Sequence, residues 1–387
     1  MTLLSAGTLV LDDRICRPGW IEFEGQRIRA CGAGIAPRTP DIDLPEAIVV
    51  PGFVDIHVHG GGGASYSEGT VSDIEDAARF HLRHGTTTTL ASLVTAAPEE
   101  LLRTVALLAE RVGAGTLAGI HLEGPWLSPA RRGAHAENQL REPDSAEIAA
   151  LLEAGRGAIA MVTIAPELPG AAAAIDRFVD ANVVVAVGHT DATYEQTRTA
   201  IDAGATVGTH VFNAMRPLHH REPGPALALL EDPRVTVELI ADGVHIHPAL
   251  LRDLVCATGS ERIALVTDAM AAAGTPDGAY RLGPVDVTVS CGVAHVTGTS
   301  TIAGSTATMD RLFRAAVEAA GPDPDAALLA AVRMTATTPA RALGLDEVGC
   351  LRAGLRADLV VLDSRLEPAA VIHRGSVAAG RLALLEA

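Results

Sequence analysis

The segment VVPGFVDIH (49–57), followed by SDIEDAARFHLRHG (72–85), shows the pattern from which the fold is predicted. The first stretch is short, apolar and rich in β-branched residues, which is typical of a buried strand. The second has the apolar spacing of a helix and ends at Gly85, a residue type that commonly terminates helices. The alternation continues to about residue 320 and gives eight strand–helix pairs. The predicted strands lie at 49–57, 86–94, 117–123, 158–167, 183–189, 206–212, 235–243 and 262–270.

Eight strand–helix units predict an α/β fold, and a (β/α)8 TIM barrel fits them better than an open sheet does. The strands are almost continuously apolar, as expected for a sheet that is buried on both faces. We expect the barrel to span residues 51–344, with an inserted hairpin at about 279–299. The two chain ends, 1–50 and 345–387, also contain strand-like segments, but neither has enough apolar alternation to fold alone. They are predicted to pair as one small β-sandwich domain.

Composition excludes several classes of protein. The 387 residues are 48% hydrophobic and 20% charged, which is too apolar for a disordered chain. The net charge of −17 disfavours binding to nucleic acid and to anionic membranes. The sequence contains no lysine, which excludes Schiff-base enzymes, pyridoxal-phosphate enzymes, P-loop enzymes and metal sites bridged by a carboxylated lysine.

The cysteines and the apolar segments predict a cytoplasmic location. The five cysteines are scattered without paired spacing, which favours reduced thiols over a disulfide framework or a zinc knuckle. The N-terminal segment lacks the basic region of a signal peptide. No apolar run approaches the roughly 20 residues that span a bilayer, so we expect no membrane association.

Polar residues that can bind a metal follow the predicted strands. His57 and His59 lie at the end of the first strand, where alternate residues share a face. A lone His-X-His is a weak signal, and it is also compatible with two solvated histidines in a Gly-rich loop. Four further residues follow strands three, five, six and eight, namely Glu123, His189, His210 and Asp268. Because the carboxyl ends of barrel strands form one mouth, this convergence predicts a metal centre there.

The ligand types indicate the chemistry. Imidazole and carboxylate ligands suit Zn(II), Fe(II), Mn(II) or Co(II), and the absence of thiolates disfavours a structural zinc site. Asp268 is then the natural general base, which takes a proton from the attacking water and returns it to a leaving amine. The pattern therefore predicts metal-assisted hydrolysis of a C–N bond. Other polar residues are not predicted to be ligands. His81 and His84 are expected on a helix surface, and His121 is either a core histidine or a support of the site. Asp55 and Asp191 are expected to flank the site.

Two basic segments suggest an anionic substrate. MRPLHHREP (215–223) packs two arginines and two histidines into nine residues, and ADGVHIHP (241–248) adds two more histidines. Both follow predicted strands, so they lie near the same mouth in an otherwise acidic chain. Arginine can grip a phosphoryl group with two parallel hydrogen bonds. The alternative is a solvated loop with ordinary ion pairs.

Several longer motifs occur in order: PGFVDIHVHG, GIHLEGPW, VGHTDATYEQ, THVFNAMRPLHHREPG, ADGVHIHP, LVTDAMAAAG and TIAGS. With them the sequence resembles the amidohydrolase superfamily and, within it, the N-acetylglucosamine-6-phosphate deacetylase family. The resemblance covers essentially the whole chain. PGFVDIHVH marks only the superfamily, whereas HLEGP, FNAM with REPG, and DGVH are specific to the deacetylases.

The resemblance implies hydrolysis of the N-acetyl group of N-acetylglucosamine 6-phosphate, which yields glucosamine 6-phosphate and acetate. It implies one or two divalent metal ions, with zinc favoured over iron, manganese and cobalt, held by Glu123, His189, His210, His57 and His59. Asp268 matches the catalytic acid–base. Arg221 matches a phosphate ligand that reaches the site of a neighbouring subunit, which implies a homodimer. The other implied substrate-binding residues are Ala134, His135, Asn213, Ala214, His245, Ile302, Ala303 and Gly304.

Two alternatives remain at this point. The chain could be another amidohydrolase, acting on cyclic amides or N-acyl amino acids. It could also be a catalytically inactive barrel that serves as a scaffold, although the loss of ligands that would mark such a protein is not seen in the sequence.

Overall fold

The chain folds into a barrel of eight parallel strands and a separate sheet built from both chain ends, in a computed structural model that describes residues 1–382. Strands and helices are numbered along the chain. The barrel strands are β6 (Phe53–Asp55), β9 (Thr86–Leu93), β10 (Gly119–Glu123), β11 (Ile159–Ile164), β12 (Val184–Val187), β13 (Ala205–Gly208), β14 (Thr236–Leu239) and β15 (Ile263–Leu265).

The barrel strands follow one another in space in the same order as along the chain, and every neighbouring pair is parallel. Backbone contacts between the loops after β6 and β15 bring the two ends of the sheet together. The amide of Asp268 donates to the carbonyl of His57 at 2.8 Å, and the amide of His59 donates to the carbonyl of Ala269 at 2.8 Å. The carboxyl ends of all eight strands therefore meet at one mouth.

Helices surround the barrel, and most bury one apolar stripe against the strands. They are α1 (Val71–Arg83), α2 (Pro98–Gly113), α3 (Ser145–Gly155), α4 (Ala171–Asp180), α5 (Tyr194–Asp202), α6 (Gly224–Glu231), α7 (Pro248–Thr258), α8 (Met309–Ala319), α9 (Pro324–Val332) and α10 (Thr338–Ala342). Short 3-10 turns span Pro129–Arg131 and Glu137–Gln139, and a π turn spans Arg333–Thr337. None of the helices in residues 1–382 has the length and apolarity needed to cross a membrane.

The second sheet combines the two chain ends, as predicted. Its strands are β1 (Thr2–Val10), β2 (Ile15–Cys16), β3 (Gly19–Glu24), β4 (Arg27–Ala33), β5 (Ile42–Pro51), β19 (Leu359–Leu362), β20 (Pro368–His373) and β21 (Ser376–Gly380). The junction between the ends is the antiparallel pairing of β19 with β5, which buries Val49 and Val361 in a core of its own. The last five residues of the predicted 345–387 segment lie outside the described residues.

The insertion after β15 has one strand more than the predicted hairpin. Three antiparallel strands, β16 (Gly278–Leu282), β17 (Val285–Ser290) and β18 (Val293–Val296), form a small sheet. Its apolar face packs on Val94 and Met270 close to the barrel mouth. Beside the mouth, β7 (Gly60–Gly61) and β8 (Ala64–Ser65) form a two-stranded ladder.

Two local expectations were wrong, and two helices were not predicted. The predicted first strand is two strands, because residues 49–51 belong to β5 and the barrel strand begins at Phe53. The helices α9 and α10 were not predicted, since their Ala-rich sequences have little apolar periodicity. His81 is fully buried and not on the surface: its Nε2 lies 2.8 Å from the carbonyl of Gly60, and burial lowers its pKa to about 4.

Candidate metal centre and active site

Five predicted ligands and Asp268 lie together at the barrel mouth. His57 and His59 follow β6, Glu123 ends β10, and the remaining three follow β12, β13 and β15. His189, His210 and Asp268 have positive φ angles of 47°, 24° and 47°. Non-glycine residues adopt this conformation at an energetic cost, and such residues cluster at functional sites.

Glu123 lies at the centre of the cluster. Its Oε1 is 3.0 Å from Nε2 of His189 and 3.0 Å from Nε2 of His210, and its Oε2 is 3.2 Å from Nε2 of His59. His57 Nε2 approaches Oε1 at 3.3 Å. Two ligand groups therefore share this carboxylate, one with His57 and His59 and the other with His189 and His210.

The donor set fits divalent cations. All five side chains are buried, and all their inward-facing atoms are imidazole nitrogens or carboxylate oxygens. The Nε2 atoms of His57 and His59 are 3.2 Å apart, and those of His189 and His210 are 3.1 Å apart. Lone pairs at such distances repel each other unless a proton or a metal ion lies between them. Nitrogen and oxygen donors in this arrangement suit zinc and the related first-row ions.

Asp268 borders the first ligand group. Its Oδ1 lies 3.1 Å from Nε2 of His59 and 3.6 Å from Nε2 of His57. Burial raises the pKa of this carboxyl group, but the positive charge of the two histidines outweighs burial, so its pKa lies below the usual value. Asp268 is therefore ionised at neutral pH, as a general base must be.

Opposing effects also act on the neighbouring groups. Burial lowers the pKa of His59, but its hydrogen bonds with Asp268 and Glu123 prevail and raise the value to about 9. Burial raises the pKa of Glu123, whereas the charges of His57 and His189 hold it well below the usual range. Glu123 and Asp268 are therefore anionic, and they are stabilised by positive charge at the mouth.

A cavity of about 260 Å³ opens onto the cluster. Its lining includes all but three of the predicted site residues: His59, Glu123, Ala134, His135, His189, His210, Asn213, Ala214, His245, Asp268, Ile302 and Gly304. His57 lies behind the lining, and Ala303 is fully buried beside it. His135 also approaches the cluster itself, with its Nε2 3.3 Å from Oε2 of Glu123.

The structure does not bring Arg221 to this cavity. Arg221 is exposed on the loop between β13 and α6, where it lines a different cavity with Thr193, Tyr194, Arg216 and Pro223. His245, in contrast, lies in the main cavity with Nδ1 2.8 Å from Oδ2 of Asp242. The two predicted phosphate ligands are thus separated within one chain.

The flanking residues support the site. The buried Asp55 accepts hydrogen bonds from the Thr267 hydroxyl at 2.5 Å and from the backbone amide of His57 at 3.3 Å, and burial raises its pKa to about 7. His121 is fully buried, with Nδ1 2.9 Å from the Ser92 hydroxyl and its ring edge-on to His57.

Asp191 joins two loops of the mouth. It accepts hydrogen bonds from Arg131 Nε and Arg216 Nη2, each at 2.8 Å. The carbonyl of Arg131 lies 3.0 Å from Nδ1 of His189, so the loop that Asp191 holds also contacts a predicted ligand.

Sequence reasoning missed several residues of the site. Gly133, Leu282, Ser300 and Thr301 line the cavity, and Leu282 comes from the inserted sheet. Glu238 and Asp242 each contact a predicted site histidine through its Nδ1 atom. A signal for Asp242 was present, because it directly precedes the Gly-Val-His of the DGVH motif. Glu238 is an isolated acid within an apolar strand, and that unusual position could have marked it as a residue of the site.

The chain resembles known proteins over nearly its full length. The family model described as "Amidohydrolase family" matches residues 48–380. N-acetylgalactosamine-6-phosphate deacetylase of Escherichia coli O157:H7 is 39% identical over 368 residues, which cover 93% of this chain and 96% of that protein. N-acetylglucosamine-6-phosphate deacetylase of Bacillus subtilis is 33% identical, covering 96% of this chain and 95% of that protein.

A solved structure shows the same architecture. N-acetyl-D-glucosamine-6-phosphate deacetylase of Mycobacterium smegmatis, in complex with N-acetyl-D-glucosamine-6-phosphate, superposes with a TM-score of 0.96. It is 56% identical, and the match covers 98% of this chain and 99% of that one. The chain therefore belongs to the amidohydrolase family and, within it, to the N-acetylglucosamine-6-phosphate deacetylase family.

Proposed function

We propose that the chain hydrolyses the N-acetyl group of N-acetylglucosamine 6-phosphate and releases glucosamine 6-phosphate and acetate. The observation that carries the proposal is the position of Asp268, whose carboxylate lies 3.1 Å from His59 at the edge of a buried N/O ligand cluster and lines the adjoining cavity. This arrangement suits hydrolysis of a C–N bond. The similarity to deacetylases of amino-sugar phosphates supports this substrate class.

The proposed metal is zinc, in one or two sites on each chain. His57, His59 and Glu123, the first ligand group, form one proposed site. Glu123, His189 and His210, the second ligand group, form the other. A divalent ion bound there supplies Lewis acidity and lowers the pKa of water. The chain's part is to hold the imidazoles and the ionised carboxylate in a fixed arrangement, and the imidazoles would lose their protons when an ion binds.

Asp268 is the proposed proton carrier. It accepts a proton from the water that attacks the acetyl carbonyl carbon. It then delivers that proton to the amide nitrogen as the C–N bond breaks, so the sugar leaves as a neutral amine and the acetyl group as acetic acid, which loses its remaining proton to solvent and becomes acetate. The positive charge of His57 and His59 keeps Asp268 ionised before the first transfer, against the effect of its burial.

The cavity walls are proposed to orient the sugar. Ala134 and His135 come from the loop after β10, Asn213 and Ala214 from the loop after β13, and Ile302, Ala303 and Gly304 from the segment before α8. Gly304 has φ of 64°, and an added Cβ would lie 2.9 Å from the carbonyl oxygen of Asp268. Only glycine therefore allows this segment to approach the proposed proton carrier so closely.

Phosphate binding is assigned to His245 and Arg221. Asp242 contacts Nδ1 of His245 and leaves Nε2 free for the substrate, and although burial lowers the pKa of His245, Asp242 raises it above the usual value. Arg221 lies outside the main cavity of its own chain. We therefore propose a homodimer in which Arg221 serves the cavity of the partner subunit. The enzyme is proposed to act in the cytoplasm, because its proposed substrate is a phosphorylated sugar and its cysteines are free.

A comparison of substrates tests the proposed function. Acetate release is measured with N-acetylglucosamine 6-phosphate, its galactosamine epimer and an N-acetyl amino acid, and ring opening is measured with a cyclic amide. The epimer is included because a relative at 39% identity acts on N-acetylgalactosamine 6-phosphate by name. Of these four substrates, we expect turnover of the two phosphorylated amino sugars only. Faster hydrolysis of the amino-acid derivative or the cyclic amide would overturn the proposal, and no turnover of any substrate would favour an inactive scaffold.

A further inference from the structure

Glu238 is a buried acid that the proposed reaction does not use. It lies on β14 between Val237 and Leu239, and its side chain is fully buried within the barrel. An ionised carboxylate in such a place is costly unless it is paired or hydrogen-bonded. The groups that surround it therefore indicate what it does.

One oxygen of Glu238 contacts both ligand groups. Its Oε2 lies 3.0 Å from Nδ1 of His57 and accepts a hydrogen bond from the backbone amide of His210 at 3.2 Å. Its Oε1 has no hydrogen-bond partner within residues 1–382. The carboxylate thus contacts the imidazole of the first group and only the backbone of the second.

The other ligand histidines have different supports. Nδ1 of His59 lies 3.1 Å from the carbonyl of Ser92, and Nδ1 of His189 lies 3.0 Å from the carbonyl of Arg131. Nδ1 of His210 has no partner among the described residues. Within residues 1–382, His57 is the one ligand histidine whose Nδ1 atom contacts a carboxylate. Such a partner fixes the tautomer and ring orientation of a ligand histidine.

The charge balance points the same way. The imidazole of His57 lies within 3.6 Å of three carboxylates, those of Glu123, Glu238 and Asp268. One imidazolium supplies a single positive charge against them. A divalent ion beside His57 and His59 would offset two of these three negative charges.

We infer that Glu238 is the positioning residue that holds His57 with Nε2 free for the metal ion proposed at the His57–His59–Glu123 group. This inference rests on the proposed metal-dependent hydrolase. It follows that losing Glu238 weakens one site selectively. The Glu123–His189–His210 group is affected less, because Glu238 contacts only the backbone of His210 there.

Metal binding tests the inference without reference to activity. The wild type, Glu238→Gln and Glu238→Leu are stripped of metal and dialysed against buffered zinc, and the zinc bound to each chain is counted by mass spectrometry. We expect two ions in the wild type. Glu238→Leu should keep one ion and bind the other about 10- to 100-fold more weakly, the usual cost of losing an outer partner of a ligand. Glu238→Gln should lose less, since its amide oxygen can still accept from His57.

A control and a double variant make the test specific. Glu147→Gln makes the same chemical change at a glutamate that pairs with Arg141 and belongs neither to the ligand groups nor to the cavity lining, and it should bind zinc as the wild type does. If Glu238 acts through His57, adding Glu238→Leu to His57→Asn should cost no further zinc affinity. Circular dichroism verifies that each variant is folded.

Each outcome decides between distinct conclusions. Two ions of unchanged affinity in folded Glu238→Leu would overturn the inference, as would loss of both ions or additive losses in the double variant. A wild type with a single ion would overturn the inference and leave the proposed function intact. A folded, active wild type that binds no zinc and no other divalent metal would overturn the metal-dependent function itself.

Discussion

The ligand cluster at the barrel mouth and the loop of residues 217–222 differ sharply in how their side chains are held. At the mouth, the ligand histidines and Glu123 are buried and contact one another at 3.0 to 3.3 Å. On the loop, residues 217–222 are all exposed, Leu218 among them. Within residues 1–382, the guanidinium group of Arg221 hydrogen-bonds only with its own neighbour His220.

The difference separates two kinds of site. The strand ends hold the ligand groups and Asp268 in place, and all of these residues belong to one chain. One chain therefore contains every residue that the proposed C–N cleavage needs. The side chains of the loop are exposed, and its basic residues do not line the main cavity. We therefore expect the chemistry to belong to one chain and phosphate binding to depend on two.

The largest expected effect is that of Asp268→Asn. The amide keeps the shape of the side chain but cannot take up the proton of water, and general acid–base groups contribute about 10²- to 10⁴-fold. We expect kcat to fall by at least this factor while the zinc content stays unchanged. Metal analysis is the control, because a loss explained wholly by missing metal would make Asp268 a ligand.

Arg221→Ala should have the next largest effect. A charge-assisted hydrogen bond contributes about 1.5–3 kcal/mol, so kcat/KM for the phosphorylated sugar should fall about 10- to 100-fold. Unphosphorylated N-acetylglucosamine should be turned over equally by variant and wild type. Equal losses on both sugars would assign Arg221 to the fold or the dimer.

Mixing these two variants tests whether the site is shared. In a hybrid dimer, the Arg221→Ala chain contributes an intact Asp268 and the Asp268→Asn chain contributes an intact Arg221. Random mixing of equal amounts should restore about a quarter of the wild-type activity, because half the dimers have one complete site of two. If Arg221 serves its own chain, mixing should restore none.

Asp191→Asn should have a smaller effect. Its two arginine contacts are about one-third exposed, and such pairs are worth up to about 1 kcal/mol. Because Asp191 holds the loop that carries Ala134 and contacts His189, kcat/KM should fall about 3- to 10-fold, and less at high salt, where the wild type is itself screened. Arg132→Gln, on the same loop, is the matched control: its pair with Glu137 stays within the loop, so it should have no effect. An equal loss in both variants would contradict a specific role of Asp191.

The last prediction concerns stability and pH and not activity. Burial lowers the pKa of His81 to about 4, so the native state stays unprotonated while the unfolded state takes up a proton below about 6.5. Stability should therefore fall as the pH drops from 6.5 to 4, by up to about 3 kcal/mol from this residue. His81→Gln can still donate to Gly60 and should flatten that dependence in urea unfolding at both pH values. Parallel curves for variant and wild type would rule out this role of His81.

The parts of the fold and site that the sequence predicted are those that depend on local patterns. Apolar runs followed by amphipathic segments mark all eight barrel strands, and residues directly after them reach one mouth in any parallel barrel. His57 and His59 were found by their spacing, and Glu123 by its place at a strand end. These features need no knowledge of which strands are neighbours.

Other features depend on three-dimensional context. The break between β5 and β6 lies within one apolar run, so hydrophobicity could not locate it. Glu238 faces His57, which is 181 residues away in the chain, and that contact depends on how β14 meets β6 across the closed barrel. The burial of His81 depends on the Gly60 carbonyl packed above it, and helical spacing alone placed it on the surface.

Metal removal tests the central claim most directly. Purified protein is stripped with a chelator, shown to be folded by circular dichroism, and assayed for acetate release from N-acetylglucosamine 6-phosphate as zinc is added back. We predict no turnover in the stripped protein, since the large apolar core keeps the barrel folded while the proposed catalyst is absent. Turnover should return with added zinc and saturate when the sites are filled. Full activity in rigorously metal-free protein would contradict the account.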